Sequence, residues 1–183
     1  MSRYAAMIFL GYWLWAVPAT ATQHKICTRE QAIQAETEVS SLKDWDAVYT
    51  AFKHFAHCDD ENIIEVWGAY TDTVVRLLST NWPTIIELDR LTSAHREFEY
   101  FVIRHLDQTV PADAFAAIVR NARLNCPSEG KYLCKKIVDR YLMLIRENIQ
   151  EARSNCPPKD KSSCDEIVDH SMKLLRENNP YTQ

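Results

Sequence analysis

Six cysteines and six histidines are the residues of this chain best suited to covalent, metal or acid–base chemistry. Their spacing decides which of these is open to them. The cysteines are Cys27, Cys58, Cys126, Cys134, Cys156 and Cys164, and the last four form two C-x7-C pairs. That spacing is wider than the short C-x2–4-C runs of structural zinc sites, so zinc is the weaker reading and disulfides the stronger. His54 and His57 sit three apart on a predicted helix beside Asp59 and Asp60. They share a face and can hold a metal, but a solvated pair beside a helix-capping acidic cluster is the simpler reading. His95 and Glu99 are four apart, yet H-R-E-F-E lacks the H-E-x-x-H arrangement of zinc proteases. His105 falls on an apolar face and reads as a hydrogen-bonded core histidine. There is no G-x-S-x-G elbow, no S-x-x-K in a supporting context and no spare cysteine to act as a nucleophile. We therefore expect no catalytic residues, no metal ligands, no cofactor and no enzymatic activity.

The elements that position the cysteines are repeated. Residues 121–148, NARLNCPSEGKYLCKKIVDRYLMLIREN, and 151–178, EARSNCPPKDKSSCDEIVDHSMKLLREN, agree at 14 of 28 positions when shifted by 30. Self-similarity at a fixed period marks an internal tandem repeat. Two cysteines eight positions apart on one helix would be separated by roughly 12 Å of rise, beyond the reach of a disulfide. The chain must therefore turn between them, and Pro127, with Pro157 and Pro158 in the second copy, supplies the break. Downstream, Ile137, Val138, Tyr141, Leu144 and Ile145 form an apolar stripe at helical spacing; Ile167, Val168, Leu174 and Leu175 form its counterpart. The expected arrangement is a helix ending near Asn125, a second over 131–154 and a third over 161–178, joined at two stapled corners. Cys126 then pairs with Cys134 and Cys156 with Cys164, which leaves Cys27 with Cys58.

Size and composition agree with a soluble globular protein: 183 residues, 46% hydrophobic and 25% charged. Only three glycines occur, fewer than strand-and-turn architectures or phosphate loops use, so the chain is expected to be an all-α, single-domain bundle of about seven to eight helices. Residues 1–21 read as a secretory leader: Arg3, an apolar run of 13 from Ala5 to Val17, and Ala19-Thr20-Ala21 as the cleavage site. The run is shorter than the roughly 20 residues that span a bilayer. Cleavage should release a soluble domain, 22–183, into the bacterial periplasm or the medium, where disulfides persist. The formal charge of −4 gives no support to nucleic-acid binding or to a polybasic membrane patch.

Along the mature chain, Thr28 with Gln31 predicts a capping box opening a helix through about Leu42. Asp44 caps the next, with Trp45, Val48, Tyr49, Phe52 and Phe55 on one face. Asp59, Asp60 and Glu61 are expected to begin a third helix and to sit on the positive end of its dipole. Asn81-Trp82-Pro83 breaks that helix, a short one follows over 84–91, and Ser93 is expected to cap another over 94–107. Pro111 starts the helix that leads into the repeat.

The stretches H-C-D-D-E-N-I-I-E (57–65), V-V-R-L-L-S-T-N-W (74–82), F-V-I-R-H-L-D-Q-T (101–109) and the C-P corner at 126–127 are similar to a group of small exported proteobacterial proteins. That resemblance covers roughly residues 27–134. It implies a helical, disulfide-bonded protein and carries over no catalytic residue. In its leader, size, helical content and internal disulfides the chain also resembles periplasmic immunity proteins that neutralise toxins delivered by type VI secretion, a likeness of architecture rather than motif. It implies a protein that binds a toxin effector. The expected contact residues are Asp59, Asp60, Glu61 and Glu65, Tyr132 at the first corner, and the corner loops 128–131 and 159–163. Alternatives are a periplasmic structural or stress-related factor without a dedicated partner, and a hydrolase with an unrecognised site.

Overall fold

The computed structural model describes residues 26–60 and 63–178. Among them it contains eight α-helices, three short 3-10 turns and no strand: α1 Arg29–Ser40, α2 Trp45–Phe55, α3 Ile64–Thr80, α4 Ile85–Ala94, α5 Arg96–Arg104, α6 Ala112–Leu124, α7 Lys131–Asn155 and α8 Lys161–Asn178. The expected leader, 1–21, lies outside the described residues, as does Glu61. No described helix is long and apolar enough to cross a membrane.

α3 is the centre of the bundle. It packs against α1 on one side and α6 on the other, and α7 and then α8 continue the row. Its side chains Val66, Tyr70 and Val74 are fully enclosed. α2 packs against α1 and α4, and α5 folds back along α4. Between them lies a ring cluster in which Phe98 and Phe101 have centroids 5.6 Å apart and Phe52 lies 4.8 Å from Phe101. Such pairs add roughly 0.5–1.5 kcal/mol each beyond the area they bury.

Local signals explain most helix ends. The Thr28 hydroxyl accepts from the Gln31 amide at 3.3 Å, and the Gln31 side chain accepts from the Thr28 amide at 3.0 Å, a complete capping box. The Asp44 carboxylate accepts from the Ala47 amide at 2.8 Å. Buried indoles find partners at the breaks: Trp45 donates to the Thr84 hydroxyl at 3.1 Å and Trp82 to the Asn125 carbonyl at 2.9 Å.

Three disulfides staple this frame, in the pairing expected. Cys27–Cys58 ties the start of α1 to the 3-10 turn after α2, with Cα atoms 4.9 Å apart. Cys126–Cys134 closes the α6–α7 corner and Cys156–Cys164 the α7–α8 corner, with Cα separations of 6.2 and 6.0 Å.

Three expectations are corrected. α3 begins at Ile64, so Asp59 and Asp60 do not lie in its first turn, where Glu65 is the acid. The connector is instead held by Asp59, which turns inward. Ser93 does not cap a helix: α4 continues to Ala94 because Leu88, Leu91 and Thr92 are buried along one face, and the break falls at His95, with φ −135° and ψ 93°. Ile167, expected on an inward stripe, is 51% exposed.

Candidate functional site

The residues with chemical potential gather in two places, an enclosed polar node and the surface around the stapled corners.

The node forms where the turn after Cys58 meets the end of α5. Asp59 is carried by the disulfide-anchored turn, and Arg104 and His105 close α5, so the three meet across more than forty residues of chain. The Asp59 side chain is only 2% exposed. One of its carboxylate oxygens takes a short ion pair from Arg104, which also donates to the Asp59 carbonyl at 3.0 Å. The other lies 3.0 Å from His105 Nε2. A carboxylate only accepts, so Nε2 carries the proton and neutral His105 accepts at Nδ1 from the Thr71 hydroxyl, 3.0 Å away. Trp67 covers the imidazole, ring centroids 4.2 Å apart, and donates its indole N–H to Asp107 at 3.0 Å. Burial pushes the His105 pKa below its ordinary value and Arg104 adds to this, while the hydrogen bond and charge of Asp59 pull it upward.

Hydroxyl, imidazole and carboxylate in series have the connectivity of a nucleophile, its base and the group that orients the base. The surroundings remove the chemistry. Thr71 is 4% exposed and His105 fully enclosed, so a substrate carbonyl has no approach to the hydroxyl oxygen. What the arrangement does is lock: it binds the turn holding Cys58 to α3 and α5, and the Arg140 guanidinium, donating to the Leu106 carbonyl at 2.9 Å, extends the bracing to α7. His105 is thus the hydrogen-bonded core histidine its apolar face predicted.

The expected contact residues divide accordingly. Asp59 is withdrawn from the surface set, because a carboxylate engaged by Arg104 and His105 and shut from water is not offered to a partner. Asp60 and Glu65 are exposed. Tyr132 is half-exposed and its hydroxyl lies 3.4 Å from Glu99. Lys136 sits 3.4 Å from the same carboxylate and 5.3 Å from the Tyr132 ring centroid, and contacts with Tyr132 first and Glu99 second raise its pKa. Glu99 therefore faces α7, while His95 stacks on Tyr49 with centroids 4.5 Å apart, so the two are not brought together as a ligand pair. His54 lies edge-on to Phe55 at 4.5 Å. Among the described residues no three His, Cys, Asp or Glu side chains converge in the manner of a metal site.

Comparison of the chain with protein-family models, with curated proteins and with solved structures gave no match.

Proposed function

We propose that this protein is an exported immunity or inhibitor protein that binds a toxin effector and blocks its active site. The observation that carries the reading is the pair of stapled corners, which hold exposed loops in fixed positions on a cross-linked helical frame. A binding surface fixed before encounter loses little conformational freedom on association, and that saving appears as affinity. Two further features support a binding role over a chemical one: the relay-like node is enclosed, and half-exposed Tyr132 has the size and rigidity of an interface anchor. The resemblance to exported helical proteins and to periplasmic immunity proteins supplies the compartment and the class of partner. The contact surface includes Tyr132, the corner loops 128–131 and 159–163, and the exposed acids Asp60 and Glu65.

The test is affinity capture of the tagged chain from the periplasm of its own host, followed by assay of what is captured. The expected result is one stoichiometric exported partner with cell-wall- or membrane-directed activity that falls to background on adding one equivalent of this protein. A partner whose activity is unchanged by saturating protein overturns the inhibitor reading and favours a structural role.

A further inference from the structure

Beside the node lies a cleft that the stapled corners do not reach. It is bounded by the α5–α6 connector, the start of α6, the middle of α7 and α8, and it measures about 260 Å³. Its floor is apolar: Val110, Phe115, Leu144 and Ile145 are all buried. Its rim is polar, with Asp107 and Gln108 from the connector, Asn148 from α7, and His170 and Ser171 from α8. An apolar floor under a few convergent polar groups is the usual make-up of a small-molecule site. A cavity of about 150 Å³ holds a benzene ring, so this one has room for a single ring bearing a short polar chain.

The duplication accounts for the space. Ser171 is the counterpart, 30 positions on, of Tyr141, and both side chains line the cleft, one from each copy. A tyrosine kept at 171 would put a second phenol ring into it. Instead the cleft receives a hydroxyl on a residue only 8% exposed, which shares no hydrogen bond with any described residue. A hydroxyl so enclosed is costly to leave without a partner.

Asp107 supplies the charge. Its Oδ1 accepts from the Thr109 amide at 2.7 Å and the Thr109 hydroxyl at 2.6 Å, and its Oδ2 from the Trp67 indole at 3.0 Å. A carboxylate offers about four acceptor positions, so Oδ2 retains one. The same donors fix the carboxylate before any ligand arrives. No lysine or arginine among the described residues lines the cleft, so its one permanent charge is negative. An ammonium group, which only donates, matches that carboxylate, the Ser171 oxygen and the amide oxygens of Gln108 and Asn148. A ligand carboxylate would meet Asp107 as like charge.

We propose that this cleft binds a small primary amine carried on an aromatic or apolar body, its ammonium on Asp107 and Ser171 and its body on the floor of Val110, Phe115, Leu144 and Ile145. The site uses none of the corner loops and does not depend on the inhibitor reading.

The experiment is a two-dimensional NMR titration of the oxidised chain with phenethylamine, with 2-phenylethanol and phenylacetate as its neutral and anionic analogues. Backbone amides of 107–112, 141–148 and 170–174 should shift saturably. The amine should bind at least about tenfold more tightly than either analogue. Ser171→Tyr, which restores the residue of the first copy, should fill the cleft and abolish saturable binding, with helical circular dichroism and three disulfides checking its fold. Asp107→Asn should erase the preference for the amine over the alcohol. Asp107 also braces Trp67, so the comparison of the three ligands on the parent chain decides the charge question even where that variant does not fold. Absence of saturable shifts at those amides overturns the proposal, as does binding by Ser171→Tyr equal to the parent's. Phenylacetate binding as tightly as the amine overturns it too, and tighter binding of the alcohol overturns it in favour of an uncharged apolar cavity.

Discussion

Ile137 and Ile167 occupy the same place in two copies of one sequence, yet Ile137 is wholly enclosed and Ile167 is 51% exposed. Everything local is shared by the copies: the proline break, the cystine eight residues wide, and the helix that starts on the lysine after the turn. What differs is the neighbourhood. α7 lies between α5 and α6 on one side and α8 on the other, whereas α8 packs along α7. The sequence has drifted in step with that difference. Leu133, fully buried, is replaced in the second copy by Ser163, which is exposed. Duplication carries a local structure along with its signals; it does not carry a tertiary environment.

Truncating the matched isoleucines gives the largest contrast. Ile137→Ala removes three carbons of packing from the core and should cost about 2–5 kcal/mol in urea unfolding. Ile167→Ala should fall within about 0.5 kcal/mol of the parent. Equal losses at the two positions would mean that α8 is covered in solution by something other than α7.

The matched cystines come next. Replacing Cys126 and Cys134 together by Ala releases a short loop inside the cooperative unit and should lower global stability by about 2.5 kcal/mol. Replacing Cys156 and Cys164 frees an outer helix instead. The expected outcome is an unchanged main urea transition with faster amide exchange and earlier proteolytic nicking in 157–178. A main transition shifted equally by both replacements would show that α8 belongs to the same folding unit as the rest.

The buried node separates the bundle from the repeat by pH. The folded pKa of His105 lies below its unfolded value of about 6.5. The unfolded chain therefore takes up the proton first. The stability contributed by keeping His105 neutral is complete above that pH and is lost as pH falls below it, by at most about 1.4 kcal/mol per pH unit. Amide exchange in α3 and α5 should rise between pH 6.5 and 5, while His105→Gln, less stable at neutral pH, should lose that increment. An unchanged slope in the variant would assign the acid sensitivity to another group.

Boundaries set by local causes are legible in the sequence; those set by distant partners are not. Thr28 with Gln31, Asp44, and Pro127 with its cystine act within a few residues, and each sets the boundary expected of it. Ser93 carried a genuine capping signal, but burial of Leu91 and Thr92 outweighed it. Asp59 read as a solvent-facing cap because its partners, Arg104 and His105, are 45 and 46 residues away, and no spacing rule connects them. The same holds for Thr71, Trp67 and Asp107, which complete the node and left no mark in the sequence beyond their types. The corners are half legible: the repeat shows which corner residues the copies share, and only the fold shows that some of them line a common space.

The smallest predicted effect is at Lys135 and its counterpart Asp165, where the two copies carry opposite charge. Lys135 faces Asp139 as an i, i+4 pair, both side chains about half exposed, whereas in the second copy Asp165 stands four residues before Asp169, like charge against like. Asp165→Lys should convert that repulsion into the pairing of the first copy and stabilise α8 by about 0.3–0.5 kcal/mol, an effect that 1 M NaCl erases. Lys135→Asp should cost α7 a similar amount. With α8 opening ahead of the rest, as expected above, the change belongs in the exchange rates of 161–178 and not in the main urea transition. No gain in protection at low salt, or a gain that persists in 1 M NaCl, would show that position 165 does not act on the helix through its charge.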